Sequence, residues 1–167
     1  MDKQQKIIIF ILSGLLAAAL IVLAIVLAIR EPEVIISDFI PPEFDTNAVA
    51  GMPEDIPAEL NYGSPISQSE FLFALCGTPT VTEDSRLRIY FTSHVDNEVW
   101  LSIKIYTSDE RLIGSSGLLR AGEYVEFIDL SEPVLPDSEI KIKIISYEPD
   151  TYYSRGVVWG TLTVFDE

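Results

Sequence analysis

Residues 86–107 read RLRIYFTSHVDNEVWLSIKIYT, two runs of alternating side chains on either side of the turn-rich SHVDNE. In the first run Leu87, Ile89 and Phe91 alternate with Arg88, Tyr90 and Thr92. In the second, Val99, Leu101, Ile103 and Ile105 alternate with Trp100, Ser102, Lys104 and Tyr106. A period of two puts one set on each face of a strand, so each run predicts a strand with one apolar face, and together they predict a hairpin. Working outward, further strands are expected at about 111–114, 123–130, 139–147 and 156–165, with another near 71–81. TSDE, RAGE, EPVLPDS and EPDTYYSRG separate them and carry the Gly, Pro, Asp and Ser that turns require.

About seven short strands over roughly 100 residues, with no helical pattern between them, predict an all-β domain over 69–167, an immunoglobulin-like or fibronectin-III-like sandwich. A small barrel is the alternative. Leu119, Gly122 and Tyr124 in LLRAGEY resemble the tyrosine corner of such sandwiches, one residue short of its usual spacing.

Upstream, 7–29 is a run of 23 residues with no charge and no proline, 16 of them Ile, Leu, Val or Phe. At about 1.5 Å per residue it reaches roughly 34 Å against a hydrocarbon core of about 30 Å, which predicts a transmembrane helix. A cleaved signal peptide has a shorter apolar region, and no cysteine follows closely enough for a lipid anchor. Lys3 and Lys6 precede the run while Glu31, Glu33 and Asp38 follow Arg30, so the N-terminus (1–6) is expected in the cytoplasm and the C-terminal domain outside a cell membrane that the chain crosses once. Gly14 and Ala18, and Ala24 and Ala28, are small-xxx-small pairs that would let two helices approach as a homodimer, although most such pairs mark no dimer.

Residues 30–68 read as an acidic, proline-rich stalk. Between Glu31 and Ser85 there are 11 acids and no Lys or Arg, and seven of the ten prolines lie there. The stalk also holds Ile35, Ile36, Phe39, Ile40, Phe44, Val49, Met52, Ile56, Leu60 and Tyr62, so part of it is expected to pack on the domain or on a partner. With a formal charge of −15 the chain lacks the clustered bases that nucleic acid or an anionic membrane surface would need. A single cysteine, Cys76, permits no disulfide within the chain, so stability must come from the core.

Phe44, Asp45, Ala48 and Gly51, then Asn97, Val99, Trp100 and Leu101, then 117–125 (GLLRAGEYV) and 147–153 (YEPDTYY), carry a likeness that spans most of 41–165. Through them the chain resembles a group of short membrane-anchored proteins of Gram-positive bacteria, often encoded on conjugative or other mobile elements. Those proteins usually have proline where Ala121 stands. The resemblance implies an extracytoplasmic accessory role, in an envelope or conjugation apparatus, and no activity.

Nothing in the sequence makes a catalytic set. His94 and Cys76 are the only His and Cys, too few for a zinc or copper site, and His94 falls in a turn. Asp109 with Glu110, and Glu148 with Asp150, are carboxylate pairs that solvated turns explain as well as acid–base chemistry does. No cofactor, metal or enzymatic activity is expected.

The aromatic residues are more informative. By alternation Trp100 and Tyr90 lie on the polar faces of their strands, Trp159 shares a face with Thr161 and Thr163, and Tyr152 and Tyr153 fall in a loop. Exposed aromatics of this kind mark recognition surfaces, so these five residues are the candidate partner-binding set, unless the stalk folds back over the rings or a bulge turns them inward. The expected role is a protein–protein interaction module that docks another envelope protein. The alternative is a cell-wall glycan-binding module with Trp100 and Trp159 as stacking platforms; a hydrolase built on paired carboxylates is the weakest of the three.

Overall fold

A computed structural model of the protein describes residues 2–5, 14–16, 40–68 and 70–167. The chain divides into two units, Met1–Ile40 and Pro41–Glu167. In the first, residues 3–5 and 14–16 are helical, and Leu15 and Leu16 are exposed. The expected spanning segment 7–29 otherwise lies outside the described residues, and among the described residues no helix is long and apolar enough to cross a membrane.

The second unit is an all-β sandwich of two sheets. Its strands are β1 (Val49–Ala50), β2 (Ile66–Gln68), β3 (Phe71–Ala74), β4 (Thr80–Val81), β5 (Arg86–Ser93), β6 (Trp100–Thr107), β7 (Leu112–Ser115), β8 (Glu123–Asp129), β9 (Glu139–Tyr147), β10 (Ser154–Thr163) and β11 (Phe165–Asp166). One sheet runs β1-β8-β5-β3-β2, with β4 also on β5 and β11 parallel to β4; the other is β10-β9-β6-β7, antiparallel throughout. β3 and β4 pair with successive parts of β5, Phe73 opposite Ser93 and then Val81 opposite Leu87, so they are two halves of one strand position. Between the halves Cys76 N–H still donates to the Ile89 carbonyl at 2.8 Å.

The alternation explains the core. Leu87, Ile89 and Phe91 of β5 meet Leu101, Ile103 and Ile105 of β6 and Ile140, Ile142 and Ile144 of β9 in one apolar layer, where burying each side chain contributes roughly 1.5–3 kcal/mol. The two opening runs do not form a hairpin, however. β5 and β6 lie in opposite sheets, because each has one apolar face to bury and the His94–Val99 connection carries the chain across the sandwich. Asn97 holds that crossing: its Oδ1 accepts from Leu72 N–H at 2.7 Å and its Nδ2 donates to the Leu72 carbonyl at 2.7 Å.

Residues 41–68, assigned by composition to the stalk, belong to the folded unit. Two contacts secure them. At one end Asp45 N–H donates to the Leu118 carbonyl at 3.0 Å, and an Asp45 carboxylate oxygen accepts from Gly117 N–H at 2.8 Å. Only glycine fits at 117, since a Cβ there would stand 2.5 Å from Asp45 N and 2.6 Å from its Cα. At the other end Leu60, 3% exposed, closes with Ile56 and Tyr62 over Cys76, Tyr90 and Tyr124 on the outside of the larger sheet. Tyr62 is further pinned by its hydroxyl, 2.7 Å from Thr92 Oγ1. Tyr124 makes no tyrosine corner; it is the second residue of β8 and stacks on Tyr90, ring centroids 6.4 Å apart.

Candidate functional site

On the smaller sheet, outward-facing side chains come in rows across the strands. Trp100 is opposite Tyr147, Ser102 opposite Ile145 and then Val157, Lys104 opposite Lys143 and then Trp159, and Tyr106 opposite Lys141 and then Thr161. β9 lies between β6 and β10, so each row reads β6, β9, β10.

The first row is covered. Trp100 meets the edge of Phe44 at 4.8 Å and of Tyr152 at 5.2 Å, above buried Leu118, Ile145 and Tyr147. Phe44 comes from the segment clamped at Gly117, and the Arg120 guanidinium stacks on its ring at 3.7 Å. Trp100 and Tyr152 therefore act as packing residues. The turn that supplies Tyr152 is closed by Tyr152 N–H donating to the Glu148 carbonyl at 2.9 Å and Glu148 N–H donating to the Tyr153 carbonyl at 2.8 Å.

The later rows are open. Trp159 is 56% exposed, with Val157 exposed on the same strand and Leu112 exposed on β7 opposite Tyr106. The Trp159 indole lies 5.6 Å from the Tyr106 ring, and Lys143 Nζ stands over it at 5.0 Å. Lys104, Lys141 and Lys143 are the only lysines beyond Lys6, and all three are on this face. Lys141 is paired with Glu110 at 2.8 Å, and that contact holds the Glu110 carboxyl below its ordinary range. Among the described residues Lys104 and Lys143 have no carboxylate within 4.0 Å, although they face each other directly.

The five aromatic candidates thus do not share one surface. Tyr90, 9% exposed, is on the outside of the other sheet under Leu60 and Tyr62. Burial, then the hydrogen bond its hydroxyl donates to Glu126 at 3.0 Å, push its pKa up to about 12. It points away from the core as its parity requires, at a β5 bulge where its own φ is 47°. Tyr153 is 73% exposed and outside the Trp100 cluster. Sequence reasoning missed Tyr106, Lys141 and Lys143 as members of the open face. Their signal was present: Lys141 and Lys143 alternate with Ile140, Ile142 and Ile144, and Tyr106 shares the parity of Lys104.

The other side chains weighed for chemistry make local contacts. Cys76 is fully buried, and burial pushes its thiol up to about 12. His94 Nδ1 accepts from Asp96 N–H at 3.3 Å in the crossing loop. Asp109 accepts from the Thr107 hydroxyl, and that bond lowers its pKa; Glu148 pairs with Arg155 at 3.4 Å. Among the described residues no group of three His, Cys, Asp or Glu side chains is placed to hold a metal ion.

Fold and surface together define an all-β sandwich with one aromatic, lysine-bearing sheet face left open. The chain matches no protein-family model, no curated protein and no solved structure.

Proposed function

We propose that the protein is a non-enzymatic interaction module. Segment 7–29 anchors it in the cell membrane with the N-terminus in the cytoplasm, and the domain outside docks another envelope protein through the open face of the smaller sheet. The observation that carries this is Trp159, 56% exposed beside Tyr106 on a regular sheet where the other strand-borne indole is packed away. Large aromatics left in water at low conformational cost are what binding surfaces use. The strand order, with β3/β4, β5 and β8 facing β10, β9, β6 and β7, supports a fibronectin-III-like sandwich as the scaffold.

Glycan binding is less well supported. A stacking platform needs an open ring face, but Trp100 lies under Phe44 and Tyr152, and Trp159 already has Lys143 and Tyr106 against it. The test is crosslinking of the full chain in its native membranes, with Trp159→Ala in parallel. A partner lost in the variant is the expected result. The same partner in both would remove this face from the interaction, and retention on isolated cell wall with no protein captured would restore the glycan alternative.

A further inference from the structure

Like charges directly opposite one another on neighbouring strands are destabilising. Lys104 and Lys143 are such a pair, facing each other across β6 and β9. The chain has 26 acids and 11 bases to distribute, so a neutralising carboxylate would be easy to place, as Glu110 is for Lys141. Among the described residues none reaches either lysine. The pair is also not isolated. Lys143 leans over Trp159 on the edge strand β10, whose 156–163 stretch carries no charge and no proline and pairs only with β9. Two lysines in the same cross-strand row as an exposed indole, one with its ammonium over that ring and the ring beside Tyr106, form a locally cationic surface with an aromatic floor on a molecule of net charge −15.

We infer that the partner docked by this face presents an acidic protein segment, whose carboxylates take up Lys104 and Lys143 while its apolar side chains cover Trp159 and Val157. The inference rests on the protein-docking function proposed above and names the chemistry of the partner. An anionic glycan would satisfy the ammonium groups too, but Lys143 and the tilted Tyr106 ring already lie against the indole and reduce the flat ring face on which a sugar would stack. Apolar side chains of a protein segment cover Trp159 and Val157 without needing such a face.

Substitution separates the two roles that the lysines could have. Lys143→Glu replaces a like-charge pair by an opposite one, so the free domain should melt at a higher temperature, while at least tenfold less partner should co-purify from solubilised native membranes. Lys104→Glu, which leaves the Lys143–Trp159 contact in place, should do the same. The double variant restores a like-charge pair of opposite sign; its melting point should return to near that of wild type, and its co-purification should not recover. In wild type, co-purification should fall as NaCl rises from 0.1 to 1 M. A carbodiimide, which condenses an amine with a touching carboxylate to an amide and carries off the water as its urea, should join Lys104 or Lys143 to Asp or Glu of the partner. Undiminished co-purification by the variants would overturn the inference and leave docking intact. Absence of any protein partner in wild type would overturn both. Amides found only to a glycan, or only to this chain's own acids, would also overturn it, making the occupant a polysaccharide or a second copy.

Discussion

Replacing Leu60 by alanine should expose Cys76. Leu60 is 3% exposed and lies over a thiol that is fully buried, in a small cluster separate from the main core and completed by Ile56, Tyr62, Tyr90 and Tyr124. The segment that carries Leu60 is held by few backbone bonds: Thr78 N–H to the Leu60 carbonyl at 3.2 Å, Gly77 N–H to that of Asn61 at 3.1 Å and Gly63 N–H to that of Leu75 at 3.3 Å. Truncating a buried leucine costs about 2–5 kcal/mol. Taking about 3 kcal/mol, and tenfold per about 1.4 kcal/mol, the open population over Cys76 rises roughly a hundredfold. The covered thiol has a pKa of about 12, so it reacts only through that open population. We predict that Leu60→Ala speeds labelling of Cys76 by a disulfide reagent about a hundredfold at neutral pH. If the segment opens alone, the denaturant midpoint should move by less than the labelling rate implies; if it opens only with the whole domain, the two should move together. A labelling rate within threefold of wild type, in a variant measurably less stable, would show that something other than this segment covers the thiol.

Three further outcomes are expected. Gly117→Ala should destabilise the domain by about 1–3 kcal/mol in denaturant titration, because its Cβ would overlap the Asp45 backbone, and should red-shift Trp100 emission in a Trp159→Phe background as Phe44 moves away. Asn97→Ala should cost about 1–3 kcal/mol, since it leaves Leu72 without its side-chain partners at the crossing between the sheets. The stability that Cys76 and Tyr90 contribute should be full below about pH 9 and decline from there to about pH 12: the folded state raises Cys76 from 9.0 to about 12 and Tyr90 from 10.0 to about 12, so over this window the unfolded chain has lost protons that the folded chain keeps. Denaturant midpoints at several alkaline pH values would check this, and Tyr90→Phe should make the decline shallower.

Strands were legible wherever one face is buried and the chain runs straight. The expected 123–130, 139–147 and 156–165 correspond to β8, β9 and β10 within about two residues, because Ile140, Ile142 and Ile144 cannot face the core in any other register. Pairing was less legible. Two amphipathic strands in sequence have the same pattern whether they lie side by side or face each other across a core, and what decides between these here is a loop fixed by one amide, Asn97. The segment 41–68 was hidden for a different reason. Its packing residues Phe44, Leu60 and Tyr62, of which Leu60 is buried and the other two half-buried, follow neither helical nor strand spacing, since each is placed by a separate contact, so only their presence among acids and prolines was readable.

The same segment decides what the aromatic pattern means. Parity places Tyr90, Trp100 and Trp159 alike on outward faces, and for all three the orientation is correct. Exposure then diverges because coverage is non-local: Leu60 and Tyr62 cover Tyr90 from more than twenty-five residues away in sequence, and Phe44 covers Trp100 from still farther. A chain that brings its own N-terminal segment over one sheet, and over one end of the other, has the means to shield large rings where they would be a liability. It leaves Trp159 and Tyr106 open, beside two lysines that face each other with no carboxylate of the described residues within 4.0 Å, and like charges placed so are destabilising. Under the docking role proposed above, a partner's carboxylates would relieve this repulsion, which is why the stability of Lys143→Glu and its partner capture should move in opposite directions.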